Sequence, residues 1–302
     1  MRLRFSAEVA RALKTHRPLV ALESSVIAQG LPSPHNVKSA LRCEAVIREE
    51  GAVPATTGVL DGELWVGLTP AQVRRLAVGK GLRKIGSRDL AMAIADEASG
   101  GTTVSATCEL AAAAKIRVFA TGGLGGVHRG FAEDLDVSQD LLALGRFPVA
   151  VICAGAKSVL DLPKTLELLE TLGVPVVGVG TTELPGFYTR HTGLRLEHDV
   201  SGAKQAARLC KVRFEELGQG GMVFALPPPD ETALKLSEIE RHMTASLAAA
   251  KRKRITGKAV TPFLLAELSA RTQGKSLIAN LALLENNARF AAKVAVALSQ
   301  GR

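Results

Sequence analysis

An α/β fold, with a mixed but mainly parallel sheet and a helical C-terminal part, is what this sequence predicts. Three observations carry the expectation. Short apolar, β-rich runs recur as far as Leu226, with helical stretches between most of them. One pair of runs, Ala52–Leu60 and Glu63–Gly67, is joined by Asp61-Gly62, the two-residue turn of a hairpin, so part of the sheet is antiparallel. Pro227-Pro-Pro229 then marks a break, and three helical stretches follow it.

Taken in order, Pro18–Leu22 reads as a first strand ending at Glu23-Ser24-Ser25. The turn-rich segment Gln29–Asn36 follows, with Asn36 as N-cap of a helix stopping at Gly51. After the hairpin, Thr69-Pro70 opens a helix that ends near Gly79. Lys84–Asp89 leads from a strand end into a helix through Ala98. Thr102–Thr107, Ile116–Ala120, Val149–Cys153, Pro175–Val179 and Met222–Leu226 supply further strands. Of the three last helices, the middle one opens at Thr261-Pro262 and the final one at Ser276. With no repeat and no low-complexity linker, residues 1–302 are expected to form one domain.

Composition narrows the function. The chain has 302 residues, 47% apolar and 22% charged, which suits a globular protein with a sizeable core. No secretory signal is legible at the N-terminus. The apolar stretch Leu110–Val127 is broken by Lys115, Arg117 and many glycines, so no membrane span is expected. Cys43, Cys108, Cys153 and Cys210 are far apart and form no Cys-x-x-Cys pair, which points to a reducing cytoplasm and away from zinc. The net charge of +9 favours anionic partners. Its basic run Lys251–Arg254 ends a helix, where cations are expected anyway. One Trp, one Tyr and nine Phe offer few stacking faces for nucleic acid. A phosphorylated small molecule is the better partner.

The candidate chemistry gathers at strand ends. Val149–Cys153 is followed at once by Ala154-Gly-Ala-Lys157, and a helix comes next. A dry strand end near a helix N-terminus disfavours the ammonium form, and a neutral lysine is a nucleophile for carbonyls. The plainer alternative is a first-turn lysine reaching into water. Upstream, five glycines from Gly122 to Gly130 leave another strand, letting backbone N–H groups approach an anion or a sugar. His128 and Arg129 add donors, and Glu133, Asp134, Asp136 and Asp140 cluster behind them. The spacing matches neither a dinucleotide fingerprint nor a P-loop. The acids could equally form a solvated helix face. Glu23, Lys84, the glycine loop and Lys157 all stand near predicted strand ends, where α/β sheets bind ligands, and so they are expected to share one cleft.

Five segments carry a resemblance: Val20-Ala-Leu-Glu-Ser24, Gly51-Ala-Val-Pro-Ala-Thr56, Ala120-Thr-Gly-Gly-Leu-Gly-Gly-Val-His-Arg-Gly130, Cys153-Ala-Gly-Ala-Lys-Ser158 and Thr261-Pro-Phe-Leu-Leu265. In these the chain resembles the pseudouridine-5′-phosphate glycosidases, also called indigoidine synthase A-like proteins, over nearly its whole length. The resemblance implies a homotrimeric α/β/α enzyme with one divalent cation per subunit, usually Mn²⁺. It implies reversible cleavage of pseudouridine 5′-phosphate to uracil and ribose 5-phosphate. Lys157 is then the Schiff-base lysine and Glu23 the proton donor. Lys84, Val104, Ser138, Gln139 and Asp140 are substrate positions, Asp136 is the metal ligand, and His128 lies near the sugar. The chain departs from the family pattern at Ser25 (commonly Thr), Gln29 (often His), Gly86-Ser87-Arg88-Asp89 (usually Ser-Arg-Arg-Asp) and Ala259 (commonly an acid).

That chemistry explains the residue types. Ordinary glycosidases protonate an oxygen leaving group with one of two carboxyls. Here the leaving atom is a carbon, so the sugar needs an electron sink and the carbon needs a proton. If the ribose opens and Lys157 captures C1′ as an iminium, the C1′–C5 bond can break in a retro-aldol-like sense, and hydrolysis frees ribose 5-phosphate. Glu23 transfers the proton best if burial raises its pKa. One Asp with water and substrate oxygens suits Mn²⁺ or Mg²⁺. An aldolase-type lyase or N-glycosidase acting on another phosphorylated pentose is the alternative enzyme. A non-catalytic sugar-phosphate or RNA-binding protein is the alternative outside catalysis.

Overall fold

The computed structural model describes residues 1–255 and 260–300, with the side chains of residues 133, 134, 261 and 262 left aside. Among the described residues eleven strands form one sheet. In chain order they are β1 Leu3–Phe5, β2 Leu19–Leu22, β3 Val53–Leu60, β4 Glu63–Val66, β5 Arg83–Ile85, β6 Gly100–Thr102, β7 Val118–Ala120, β8 Ala150–Cys153, β9 Val176–Val179, β10 His198–Val200 and β11 Met222–Ala225. Across the sheet the order is β1-β4-β3-β2-β7-β8-β11-β9-β10, and β5–β6 branches from β3. The hairpin pair β3–β4 and the pair β3–β6 are antiparallel; the remaining pairs run parallel. The parallel centre therefore delivers the C-terminal ends of β2, β7 and β8 side by side.

Alternation along the central strands divides the core into two layers. Val20, Leu22, Val118, Ala120, Ile152 and Phe224 face one layer, covered by the helices His35–Glu49, Ala203–Lys211, Leu236–Arg252, Val260–Arg271 and Lys275–Gln300. Ala21, Phe119, Val151, Cys153 and Val223 face the other, under Ala7–Lys14, Val104–Ala113, Gln139–Arg146 and Leu162–Thr171. This is an α/β/α sandwich. Lys275–Gln300 packs directly on β2, β7 and β8, so the C-terminal helical part belongs to the main core. Among the described residues no helix is long and apolar enough to cross a membrane.

Several expected elements differ. Thr102–Thr107 is not a strand: only Thr102 ends β6, and Val104 opens the helix Val104–Ala113. That helix is buried on most of its surface, from Val104 through Cys108 and again at Leu110 and Ala111, so it lacks the polar stripe that reveals a helix in sequence. The polar side chains there satisfy one another, with the Thr57 hydroxyl within 3.0 Å of Thr107 and 2.8 Å of Thr102. Asn36 is not the N-cap of its helix. It lies just inside, where its amide donates to the carbonyls of Ile27 and Ala77 and ties the preceding loop to the helix Pro70–Val78. The helix expected through Ala98 stops at Ala95. Strands β1, β5 and β10 have three residues each, too short for a visible period of two.

Candidate active site

The site begins where β2 ends. Glu23 is 8% exposed, and its two carboxylate oxygens accept hydrogen bonds from the hydroxyls of Ser25 and Thr121. Thr121 immediately follows β7, so the carboxylate bridges two neighbouring strand ends. The branch strands reach the same place from above. Ser24 donates its N–H to the Thr102 carbonyl at 3.2 Å. Gly101 makes this approach feasible, because a Cβ there would lie 2.6 Å from the Ser24 carbonyl oxygen. Gly101 pairs in register with Lys84 of β5, which brings that lysine over the end of β2.

Lys157 follows β8 in a loop stitched to the glycine segment. Leu124 donates to Gly155, Lys157 donates back to Leu124, both at 3.0 Å, and Asp161 donates to Val127 at 2.9 Å. The next helix starts only at Leu162, capped by the Asp161 side chain. Lys157 is therefore not a first-turn lysine; it is half-buried among buried neighbours. The nearby Cys153 thiol is no rival nucleophile, since burial pushes its pKa up to about 12.

Lys157 stands where two lobes of a cleft meet, and Ser25 and Lys84 line both as well. The first lobe, about 560 Å³, holds Glu23 and Gln29 with Gly122, Gly123, Phe187, Leu265, Asn280 and Leu284 around them. The second, about 1040 Å³, is polar and carries Arg88, Thr103, Ser105, His128, Asp136, Ser138, Gln139 and Asp140. The expected residues thus converge, with one exception. Val104 is buried and lines neither lobe with its side chain. Its neighbours Thr103 and Ser105, at the start of the same helix, do line the second lobe.

The glycine segment divides in two. Gly122 and Gly123 line the first lobe, whereas further along the N–H groups of Gly125, Val127 and His128 are engaged within the protein: Gly125 donates to Asp140 at 2.8 Å, Val127 to Thr165 and His128 to the Asp136 carbonyl, both at 3.0 Å. The glycines provide close packing. A Cβ at Gly125 would collide with Ser138 and Asp140. Asp140 is equally engaged, accepting from Ser105 N–H at 2.9 Å with its other oxygen. Asp136 keeps more exposure and lies 3.9 Å from His128 Nδ1. Among the described residues no group of three or more His, Cys, Asp or Glu side chains could hold a metal. A cation here would take one protein carboxylate, Asp136, and water or substrate oxygens for the rest. That fits Mn²⁺ or Mg²⁺ and not zinc.

With this geometry in place, its likeness to known proteins decides the family. The profile described as "Indigoidine synthase A like protein" matches residues 8–297. The chain belongs to the indigoidine synthase A-like family. A Myxococcus xanthus relative called pseudouridine-5′-phosphate glycosidase is 62% identical over 301 residues, covering 99% of each chain. A Chloroflexus aurantiacus relative of the same name is 51% identical, again over 99% of each. Among solved structures, the prealnumycin C-glycosynthase AlnA in complex with ribulose 5-phosphate superposes with a TM-score of 0.91 at 37% identity, covering 99% of this chain and 97% of its own. An indigoidine synthase A-like protein from Thermotoga maritima gives 0.89 at 33%, covering 98% and 96%.

At Ser25, Gln29 and Gly86 the departures from the family pattern have local explanations. Ser25 retains the hydroxyl that holds Glu23. Gln29 donates to the carbonyls of Leu82 and Arg83 at 3.4 Å, bracing β5 beside Lys84. Gly86 leaves room for Gln139, whose Oε1 would stand 3.1 Å from a Cβ there. Ser87 leaves its buried hydroxyl without a hydrogen-bond partner. Ala259 lies outside the described residues. Phe187 and Asn280 line the cleft without having been singled out in sequence. Thr121 had a detectable signal, being the first residue past a strand; Asn280, inside a long helix, had none.

Proposed function

We propose that the chain cleaves the carbon–carbon glycosidic bond of pseudouridine 5′-phosphate, reversibly giving uracil and ribose 5-phosphate. One observation carries the reading: an acid, Glu23, and an amine, Lys157, line the same small lobe at the ends of nearby parallel strands. The base would occupy that lobe between Phe187 and Asn280. The sugar phosphate would extend into the polar lobe, towards Lys84, Arg88, the first turn at Val104, and Ser138 and Gln139.

Chemically, the Lys157 amine adds to C1′ as the ring oxygen leaves as a hydroxyl. Glu23 then protonates uracil C5. The C1′–C5 bond breaks with its electron pair returned to the base, while the lysine nitrogen's lone pair forms the iminium at C1′. Water hydrolyses that iminium to ribose 5-phosphate and free amine. A divalent cation, when bound, supplies positive charge to sugar and phosphate oxygens, and Asp136 would hold it.

Purified protein should release uracil from pseudouridine 5′-phosphate, lose that activity on chelation and regain it with Mn²⁺. Asp136→Ala should fall by at least about 10-fold to 100-fold and recover poorly in excess Mn²⁺, since even residues that only support a metal ligand cost that much when lost. Full activity after chelation rejects the cation. Preferential cleavage of uridine 5′-phosphate would instead favour an N-glycosidase, and RNA binding without base release a non-catalytic role.

The same proposal includes a homotrimer working as one domain per chain in a reducing, cytoplasmic setting. All four cysteines are buried free thiols, which suits such a compartment. Leu135 and Leu142, exposed at 71% and 63%, offer apolar surface beside the acidic loop to a neighbouring copy. Sedimentation equilibrium should return three times the chain mass; a single-chain mass rejects the trimer.

A further inference from the structure

Arg129 ends the glycine-rich motif next to His128, a place that suggests a ligand contact, yet it lines neither lobe of the cleft. It points behind the lysine loop. Nε donates to the Leu160 carbonyl and Nη2 to the Ser158 carbonyl, each at 3.3 Å. Nη1 and Nη2 also donate to the two carboxylate oxygens of Glu240 at 2.9 and 2.8 Å. Glu240 belongs to the helix Leu236–Arg252 in the C-terminal part. The hydrogen bonds within the pair raise the Arg129 pKa and lower that of Glu240, so both stay ionised at neutral pH.

The geometry points to Arg129 and Glu240 as a positioning pair that pins the Lys157 loop from behind. The loop contains no helix or strand between β8 and Leu162; backbone bonds tie it to the glycine segment at Leu124 and Val127 and, at its start, to Phe187 N–H through the Ala154 carbonyl, while the Ser158 and Leu160 carbonyls are met by Arg129. Arg129 holds the two carbonyls on the C-terminal side of Lys157. A guanidinium can bond two carbonyls and a carboxylate at once; an ammonium lacks that fixed fork. Through this pair the helix Leu236–Arg252 sets where the amine stands. Displacing a reacting group by about 1 Å can cost about 100-fold in rate, so a contact away from the chemistry can govern it.

This inference rests on Lys157 being the nucleophile, and its test keeps the two separate. Full-length protein is incubated with ribose 5-phosphate and borohydride, and the rate of adduct formation at Lys157 is followed by peptide mass. Arg129→Ala should slow both trapping and kcat for uracil release by about 10-fold to 100-fold, with KM changing less than about 3-fold. Glu240→Gln, a change at a partly exposed side chain, should give a smaller loss in the same two quantities. Arg129→Lys should restore only part of the rate, and Arg129→Ala/Glu240→Ala should be no slower than Arg129→Ala alone. Wild-type trapping rates in Arg129→Ala and Glu240→Gln overturn the positioning role while leaving Lys157 as nucleophile. Losses confined to KM also overturn it. Absence of any adduct in the wild type removes the lysine reading itself, and this inference with it.

Discussion

Lys157→Ala will stop uracil release, lowering kcat by at least about 10⁴-fold, the scale on which a covalent nucleophile counts. The variant will also form no borohydride-stable adduct with ribose 5-phosphate. The argument is one of position. Lys157 is the amine shared by both lobes that also leaves a central strand, whereas Lys84 approaches over the top on the branch strand β5. Lys157→Arg should fail equally, because a guanidinium stays protonated and cannot attack carbon. The fold should survive both changes, since this side chain is only half-buried. Uracil release and trapping give independent readings. Turnover by Lys157→Ala near the wild-type rate, with no adduct on the wild-type lysine, would falsify the amine mechanism.

Glu23→Gln has the second largest expected effect, a loss of about 10²-fold to 10⁴-fold in kcat for cleavage, the range assigned to a positioned general acid. Gln keeps an oxygen that can accept from Ser25 or Thr121 and so disturbs the site less than Ala. The informative comparison is with trapping. Ribose 5-phosphate forms its iminium on Lys157 without any carbon protonation, so Glu23→Gln should still be labelled while cleavage stalls. Lys157→Ala loses both. If Glu23→Gln cleaves within a few-fold of wild type, the proton comes from elsewhere, and the clasped carboxylate is a structural bridge between β2 and β7.

The strand-end positions of the lysine and the acid are legible in the sequence because each follows an unmistakable apolar run. Leu19–Leu22 and Ala150–Cys153 are buried nearly throughout, and strands covered on both faces must be continuously apolar. The hairpin was legible for a local reason, its Asp61-Gly62 turn. Val104–Ala113 was not, because a helix buried around most of its circumference carries no polar stripe. Arg129 was misleading for another reason. It sits in a motif that suggests ligand contact, but it turns to hold the chain, on Ser158, Leu160 and Glu240.

By itself the amino-acid order determined the alternating α/β character, the hairpin and the acid and amine waiting at strand ends, because apolar periodicity and turn chemistry act over a few residues. Only the tertiary structure decided that β2, β7 and β8 lie side by side, that Lys84 returns over them on β5, and that Phe187 and Asn280 wall the lobe. Those pairings join residues far apart in the chain. They depend on which faces pack together most completely, a competition among whole layers that no short window of sequence contains.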